Sequence, residues 1–251
     1  MKTVFLFATV AALCAPAAFG RDGAGGFSLS AGVGGSFGGH FTRYRIQAGE
    51  GDVSFRANQN ENLLEGGVFA FLDATYATLY MGLLSGNGAY DEPVLIGGQK
   101  MEELGRKGQG WESSLNISLL GRYPFRVGKR LELFPLLGMD YHVALSRKRS
   151  AGSTIYDRTN PPPKSTDVHL NGNFKLSDWN VFFVRFGAGA QFNLTSRLFL
   201  RGDLLYGIRL MSRQEKLSLE MVKTMTEENS PKLGGLSSGP SVRIGLGWRF
   251  L

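Results

Sequence analysis

Apolar and polar residues alternate with a period of two in segment after segment of this chain, and this pattern constrains the fold most. In the clearest segment, Val242 to Phe250, apolar side chains take the even positions while Arg and Gly take the odd ones. The same alternation recurs in 111–122, 131–146, 178–192 and 197–212. A period of two is typical of β-strands with one apolar face. The sequence therefore predicts an all-β fold.

About eight strands are predicted once the weaker N-terminal segments are included. Their ranges are 26–42, 63–72, 75–84, 111–122, 131–146, 178–192, 197–212 and 239–251. The run from Leu64 to Leu84 is too long for one membrane-spanning strand of about 9–11 residues. A tight turn at Asp73-Ala74 is therefore predicted to divide it into a hairpin, and a helix over the apolar stretch Leu79–Leu84 is the alternative.

The predicted connections alternate between short and long. The short ones lie near Asp73, at 124–130 and at 193–196, and the long ones at 43–62, 85–110, 147–177 and 213–238. Short turns at one end and long loops at the other are typical of outer-membrane barrels with both termini in the periplasm. Asn171-Gly172 predicts a hairpin inside the third long connection, so a barrel of ten strands is an alternative to eight.

Alternation alone does not decide which face of the barrel is inside, because a soluble lipocalin-like barrel alternates too. The lysines favour a membrane barrel: all ten lie outside the eight predicted strands, although a solvated outer face favours long charged side chains. We therefore expect a transmembrane antiparallel up-and-down β-barrel with short periplasmic turns and long extracellular loops. Its apolar faces should contact lipid, and its polar faces should line the lumen.

The polar faces carry glycine, serine and charged residues of both signs, which suits a narrow lumen. The predicted lumen network comprises Glu132, Asp140, His142, Arg185, Arg201, Asp203, Arg209, Arg243 and Arg249. An uncompensated ion in a closed lumen costs several kcal/mol. We therefore expect the three carboxylates of this network to be bridged by its arginines.

The first twenty residues have the features of an export signal. Lys2 is their only charge, Val4 to Leu13 is apolar, and Ala18-Phe19-Gly20 supplies small residues for cleavage. We predict a cleaved signal peptide at 1–20, a barrel domain at 21–251 and a location in the outer membrane. The chain has a net charge of +7, but its basic residues are spread along the sequence, and nucleic acid is not an expected partner.

The C-terminal strand, Val242 to Phe250, resembles the last strand of eight-stranded outer-membrane barrels of the OmpW and OmpX type. It is also similar to the signal that the barrel-assembly machinery binds, with Trp248 and Phe250 as late aromatic residues, although Leu251 follows Phe250 here. The resemblance implies two partners, the assembly machinery and outer-membrane lipid. Resemblance to the OmpW type also implies passage of small hydrophobic compounds through the barrel wall.

Two functions are compatible with such a barrel. Eight strands leave an interior just wide enough for side chains to fill, so the first hypothesis is a narrow channel or facilitator for small molecules, not a wide porin. The second is a non-conducting surface barrel whose loops act as an adhesin or interaction module toward a host ligand. Arg147, Lys148 and Arg149 in the third loop would attract acidic polymers or lipopolysaccharide-like phosphates.

Enzymatic and metal-dependent functions have little support in the sequence. The histidines are His40, His142 and His169, and His142 lies two residues from an acid, Asp140, on one strand face. No serine is placed beside this pair, so it predicts a structural role and not a catalytic one. No two histidines have metal-ligand spacing, and the N-terminal glycines match no nucleotide-binding motif. Neither a metal nor a cofactor is expected.

Overall fold

A computed structural model describes residues 28–48, 55–96, 99–151, 176–210 and 232–250 of the chain. These residues form nine antiparallel strands and one short 3₁₀ helix, Leu176–Trp179. The strands are β1 (Leu29–Ala48), β2 (Phe55–Ala74), β3 (Ala77–Ile96), β4 (Gln99–Arg122), β5 (Phe125–Val127), β6 (Leu131–Ala151), β7 (Val181–Asn193), β8 (Leu198–Arg209) and β9 (Lys232–Arg249). No helix among the described residues is long and apolar enough to cross a membrane.

The strands close into a ring in the order β4, β3, β2, β1, β9, β8, β7, β6, and pairing between β4 and β6 completes the circle. The short strand β5 continues β4, because Arg122 pairs with Leu136 and Phe125 with Leu133 in one unbroken register. Pro124 separates them, since proline has no N–H to donate to the ladder. The described residues thus form an eight-stranded antiparallel barrel, which confirms the predicted fold class.

The strands are strongly staggered around the barrel. A path of paired residues that leaves β1 at Ala31 returns to β1 at Phe41, ten residues further along. It passes through Leu72, Leu79, Leu119, Met139, Val184, Ile208 and Ser238. A stagger of this size corresponds to strands tilted by about 40° from the barrel axis.

The outward face of the barrel is an apolar belt. Val33, Val68 and Leu137 are 65%, 66% and 64% exposed. Soluble monomeric proteins rarely expose a continuous apolar surface as large as this belt. Other members are Phe37, Leu64, Leu72, Met81, Leu83, Phe186, Phe192, Leu200, Leu204, Ile244, Leu246 and Trp248. The belt spans 33–41 on β1 and 64–72 on β2, close to the roughly 9–11 residues that a tilted strand needs to cross a bilayer.

Beyond the belt, β1 to β4 continue as a polar rim, formed by 43–48, 55–62, 85–96 and 99–110. The rim corrects the predictions of long loops at 43–62 and 85–110, which are mostly strand. The alternation is lost there because polar residues occupy both faces of the sheet, which only a face packed on an apolar surface would exclude. The other two predicted long connections fall largely outside the described residues, as do the Asn171-Gly172 hairpin, the signal peptide and Leu251.

Three short turns lie together at the opposite end of the barrel. The hairpin predicted within 64–84 is confirmed and the helix is wrong, but the turn is at Thr75-Tyr76, between paired Ala74 and Ala77, and not at Asp73-Ala74. The second turn follows Val127 and uses Gly128 with a φ of 72°, a left-handed conformation that glycine adopts without strain. The third joins β7 to β8.

A β-bulge interrupts the pairing of β6 with β4 near the rim. Ala144 pairs with Ser114 and Ser146 with the adjacent Ser113, so Leu145 has no partner on β4. One extra residue reverses the alternation of side chains beyond it. As a result, Arg147 points into the barrel although it is odd-numbered, while inward residues of β6 before the bulge are even-numbered.

Inward-facing glycines make room for aromatic rings in the lower half of the barrel. A Cβ atom on Gly189 would collide with the ring of Phe134, and one on Gly247 would collide with the ring of Phe199. Both rings are buried. The glycines that the polar faces carry are therefore part of a close-packed interior, where they leave space for larger neighbours.

Candidate functional site

Buried polar side chains fill the barrel interior in three layers. The plug lies nearest the short turns and comprises Asp73, Thr78, Tyr80, Arg122, Arg201 and Asp203. The central layer comprises Asn116, Ser118, Asp140, Arg185 and Arg243. The histidine layer lies toward the rim and comprises His40, Glu65, His142 and Phe183.

The plug is built around two carboxylates that share one arginine. The Arg201 guanidinium donates to both oxygens of Asp73, at 2.5 and 2.7 Å, and its Nε donates to Asp203 at 3.0 Å. Asp73 also accepts from Thr78 at 2.5 Å and from Arg122 at 3.1 Å. Charge-assisted hydrogen bonds of this kind are about twice as strong as neutral ones.

The plug also connects opposite sides of the barrel. The Tyr80 hydroxyl, on β3, donates to Asp203 on β8, and these two strands face each other across the ring. The Arg201 guanidinium lies 5.2 Å from the ring centroid of Tyr80 and 4.9 Å from that of Phe134, within the range of cation–π attraction. The polar and aromatic groups of the plug therefore form one packed unit across the lumen.

The central layer is organised by Asp140. Its carboxylate accepts from Arg185 at 2.6 Å and from Arg243 at 3.2 Å. Arg243 also donates to Ser118 at 3.0 Å, which joins β9 to β4 on the opposite side of the ring. One buried carboxylate thus serves two arginines, and serine and asparagine oxygens satisfy part of the remaining donors.

Pairing between β1 and β9 is interrupted beside this layer. The ladder runs to Gly38 with Ser241 and resumes at Phe41 with Ser238, so Pro240 lies in the gap. Proline removes a ladder donor, and the Gly239 carbonyl accepts a hydrogen bond from Arg185 inside the lumen. We refer to this gap as the β1–β9 seam.

The histidine layer brings together three residues that are far apart in the sequence. His40 Nε2 lies 3.1 Å from Glu65 Oε1, and the rings of His40 and His142 are 5.0 Å apart. Phe183 packs against both rings, at 4.8 and 5.3 Å. The strands that carry the two histidines, β1 and β6, face each other across the ring, so only the closed barrel creates this cluster.

The structure places the predicted lumen residues on the inward face, but it distributes their contacts unevenly. Asp140 and Asp203 meet arginines of the predicted network, as described above. Glu132 lies 3.7 Å from Arg249 and 3.7 Å from Arg126, which was not predicted. Arg209 donates to Thr42 at 3.3 Å, a contact that the sequence did not predict.

Several central members of the interior were missed by the sequence analysis. Asp73 was assigned to a turn, because short polar residues favour turns, and Glu65 and His40 were given no role. The alternation could have revealed them, because Asp73, Glu65 and His40 occupy the positions of β1 and β2 that face away from the apolar belt. Of the predicted assembly signal, Trp248 and Phe250 are exposed at the turn end, and its recognition remains a prediction.

The predicted basic cluster of the third loop is changed by the bulge in β6. Arg147 donates to Glu112 at 2.8 Å and to Glu61, and its guanidinium lies 3.8 Å from the ring centroid of Trp179. These contacts correct the expectation that Arg147 is available to an external partner. Lys148 is exposed, and the side chain of Arg149 lies outside the described part of the chain.

A different pair of arginines faces outward at the rim. Arg43 and Arg45 follow Phe41, the last apolar belt residue of β1, and both are exposed. They line an open groove of about 470 Å³ together with Tyr44, Asn58, Asn60, Gly234 and Gly235. Neither arginine has an ion-pair partner within the described residues.

Comparison with solved structures finds outer-membrane barrels of low similarity. OprG from Pseudomonas aeruginosa is 10% identical, with a TM-score of 0.42 over 89% of this chain and 95% of that chain. Ail of Yersinia pestis, solved in complex with the heparin analogue sucrose octasulfate, is 13% identical, with a TM-score of 0.29 over 88% and 99%.

The protease OmpT from Escherichia coli is 8% identical, with a TM-score of 0.34 over 90% of this chain and 99% of that chain. No protein-family model and no curated protein matches the sequence. The fold assignment rests on the strand pairing and the apolar belt, and similarity at this level adds no functional assignment. The absence of an enzymatic function stays a prediction.

Proposed function

We propose that this chain is a surface-exposed outer-membrane barrel that does not conduct solutes along its axis and whose rim binds phosphate or sulfate groups. The observation that supports it is the filled interior. Arg185, Arg201, Tyr80 and Phe183 are all at most 2% exposed, and their contacts join opposite walls of the barrel. A wide aqueous path would require breaking these ion pairs, which costs several kcal/mol for each buried ion.

The rim supports the second half of the proposal. β2 has 20 residues and β4 has 24, about twice the length needed to cross a bilayer. The surplus raises a polar sheet above the belt at the end where long loops are expected, the extracellular side. Loops and edges held by a rigid scaffold commonly carry binding functions.

The groove at Arg43 and Arg45 favours an anionic ligand. Two outward guanidiniums and the amides of Asn58 and Asn60 supply hydrogen-bond donors without an acidic group among the lining residues. Guanidinium groups bind phosphate and sulfate oxygens in a bidentate manner. Because Arg43 follows the last belt residue of β1, the groove lies at the level of lipid headgroups, and both lipid phosphates and soluble sulfated polymers fit this chemistry.

Planar-bilayer recording of the refolded protein tests the closed interior. We expect no stepwise conductance from the wild-type protein, and stable open channels would contradict the proposal. The double variant Tyr80→Ala/Arg201→Ala removes two of the three largest side chains of the plug. It should produce measurable steps, which shows that the assay detects a lumen once the plug is gone.

A binding assay tests the groove. The double variant Arg43→Gln/Arg45→Gln should weaken binding at least tenfold to lipid A vesicles, to heparin or to both, in a salt-sensitive manner. The control Arg126→Gln/Arg130→Gln removes the same charge from the exposed turn end and should bind as the wild type does. Vesicles and heparin tested separately identify the source of the anionic group, and equal loss in both variants would refute a site at the groove.

A second candidate function is an OmpW-like facilitator that releases small hydrophobic molecules into the bilayer. The β1–β9 seam favours it, because the wall has fewer hydrogen bonds at Pro240 than elsewhere along that strand pair. A disulfide in Phe41→Cys/Ser238→Cys, two partners at the edge of the seam, should reduce uptake reversibly. The control Val33→Cys/Leu246→Cys joins the same strands where the ladder is intact. Uptake unaffected by either disulfide would exclude this route.

A further inference from the structure

We propose that His40, Glu65 and His142 bind a divalent transition-metal ion inside the barrel, with Zn²⁺ or a chemically similar ion as the ligand. One ligand atom from each residue, a ring nitrogen or a carboxylate oxygen, lies within 4.8 Å of the other two. Sequence spacing did not predict this site, because the ligands come from β1, β2 and β6. The inference is independent of the function proposed above.

The geometry is close to that of a three-ligand site. Zinc binds histidine nitrogen and carboxylate oxygen at about 2.0–2.2 Å, so ligand atoms of a tetrahedral site lie about 3.3 Å apart. His40 and Glu65 already meet this separation at 3.1 Å. The ligand atoms all lie within 4.8 Å of one another, so closing a tetrahedral site requires shortening by at most about 1.5 Å.

His142 is buried without the hydrogen bonds that an imidazole requires. It is 2% exposed, and within the described residues neither of its ring nitrogens has a hydrogen-bond partner. Burial of a polar group without a hydrogen-bond partner is unfavourable. A metal ion coordinated by one of these nitrogens would remove part of this deficit.

The surroundings of the cluster resemble the outer shell of a metal site. Asp140 Oδ2 lies 3.7 Å from His142 Nε2, so a small movement would let the histidine donate to this carboxylate while its other nitrogen binds the metal. Such carboxylate–histidine–metal arrangements orient the ring and increase its basicity. Phe183 holds both imidazole rings from one side.

The charge balance favours a cation at this position. Asp140 is already neutralised by Arg185 and Arg243, whereas among the described residues the ion-pair partner of Glu65 is His40. With neutral imidazoles, Glu65 would supply a negative charge that a metal ion compensates. Two nitrogen ligands and one carboxylate favour Zn²⁺ and its neighbours over Ca²⁺ or Mg²⁺, which prefer oxygen ligands only. Three protein ligands leave one position open for water.

Titration of the refolded protein, prepared without a histidine tag, tests the site directly. We expect one equivalent of Zn²⁺ by calorimetry, one equivalent of Co²⁺ with a visible absorption band typical of low coordination number, and no binding of Mg²⁺. His40→Gln, Glu65→Gln and His142→Gln should each lower the Zn²⁺ affinity at least tenfold. His169→Gln removes the third histidine of the chain and should leave the affinity unchanged.

A stability measurement keeps the test decisive if a variant folds poorly. Zn²⁺ that binds only the folded state raises the melting temperature, so it should stabilise the wild type and His169→Gln but not His142→Gln, and a chelator should reverse the effect. Heat-modifiable migration on gels confirms that each variant is folded. Failure of the wild type to bind Zn²⁺, or equal binding by the double variant His40→Gln/His142→Gln, would overturn the proposal.

Discussion

The plug and the histidine layer lie in the same barrel interior and differ in how their buried polar atoms are satisfied. In the plug, Asp73 accepts hydrogen bonds from three side chains, and Arg201 connects it to Asp203. Only one guanidinium nitrogen of Arg201, Nη2, lacks a partner there among the described residues. In the histidine layer, both ring nitrogens of His142 lack a partner among the described residues. Burial is nearly complete in both layers, so exposure does not distinguish them.

This difference indicates which layer stabilises the barrel and which layer is able to bind a ligand. A buried carboxylate surrounded by donors holds strands together and has little capacity left for a ligand. A buried imidazole without hydrogen-bond partners destabilises the fold, and such a group in a native structure indicates a function such as binding of an ion. We therefore interpret the plug as a structural element and the histidine layer as the place in the interior where a ligand would bind.

Substitution of Arg201 should show the largest effect. Arg201→Met keeps most of the volume but leaves Asp203 without its arginine and Asp73 with one arginine fewer. Breaking a buried ion pair by removal of one partner costs about 3–5 kcal/mol. Urea unfolding in detergent, monitored by the heat-modifiable gel shift, measures this loss. A change below about 1 kcal/mol would show that the plug does not stabilise the barrel.

Packing around the plug should show the next largest effect. In Gly189→Ala the added methyl group meets the Phe134 ring and the Asp203 carboxylate, and overpacking of this kind costs about 1–3 kcal/mol. Gly202→Ala on the adjacent strand is the control, because a Cβ atom there has no neighbour within 4 Å. If melting temperatures of the two variants fall equally, close packing in the plug is not the cause.

Replacement of His142 should have a small effect, and this sharpens the contrast with the plug. His142→Phe retains a ring against Phe183 and removes two unsatisfied nitrogens, so the free energy of unfolding should change by less than about 1.5 kcal/mol. The same unfolding assay without metal measures it. A loss as large as that of Arg201→Met would mean that the two layers are equally structural.

An exposed ion pair should show the smallest effect. Arg126 lies 3.7 Å from Glu132, but its side chain is 72% exposed. Arg126→Met should therefore lower stability by at most about 1 kcal/mol, and less in high salt. Comparison with Arg201→Met, the same substitution in the plug, isolates the contribution of burial; equal losses would contradict it.

The sequence predicts the belt well and the rim poorly, for one physical reason. Lipid outside and polar groups inside impose strict alternation, as in Phe186, Leu200 and Ile244, which were assigned to the lipid-facing side and are exposed in the structure. In the rim both faces carry polar residues, and Asn60 and Glu61 are both polar although they point to opposite sides. Strand content there depends on pairing with neighbours, which the local pattern does not encode.

The interior could be predicted as a class of residues but not as a set of contacts. Alternation places Asp140 and Arg185 on the inward face, yet which arginine meets which carboxylate depends on the stagger between strands. His40 and His142 meet only because β1 and β6 are opposite each other in the closed ring. No spacing within either strand carries that information.

The unpaired Leu145 shows how little is needed to change what such a barrel displays to its surroundings. Side chains along a strand point alternately into and out of the barrel, and a single added residue reverses this alternation for every residue that follows. Deletion of Leu145 would exchange the sides of Arg147 and Lys148. Arg147 would then lose its contacts between strands inside the barrel and become a surface charge. Length changes of one residue near the rim are thus a route by which related barrels can diversify their outer chemistry while the membrane-spanning portion stays the same.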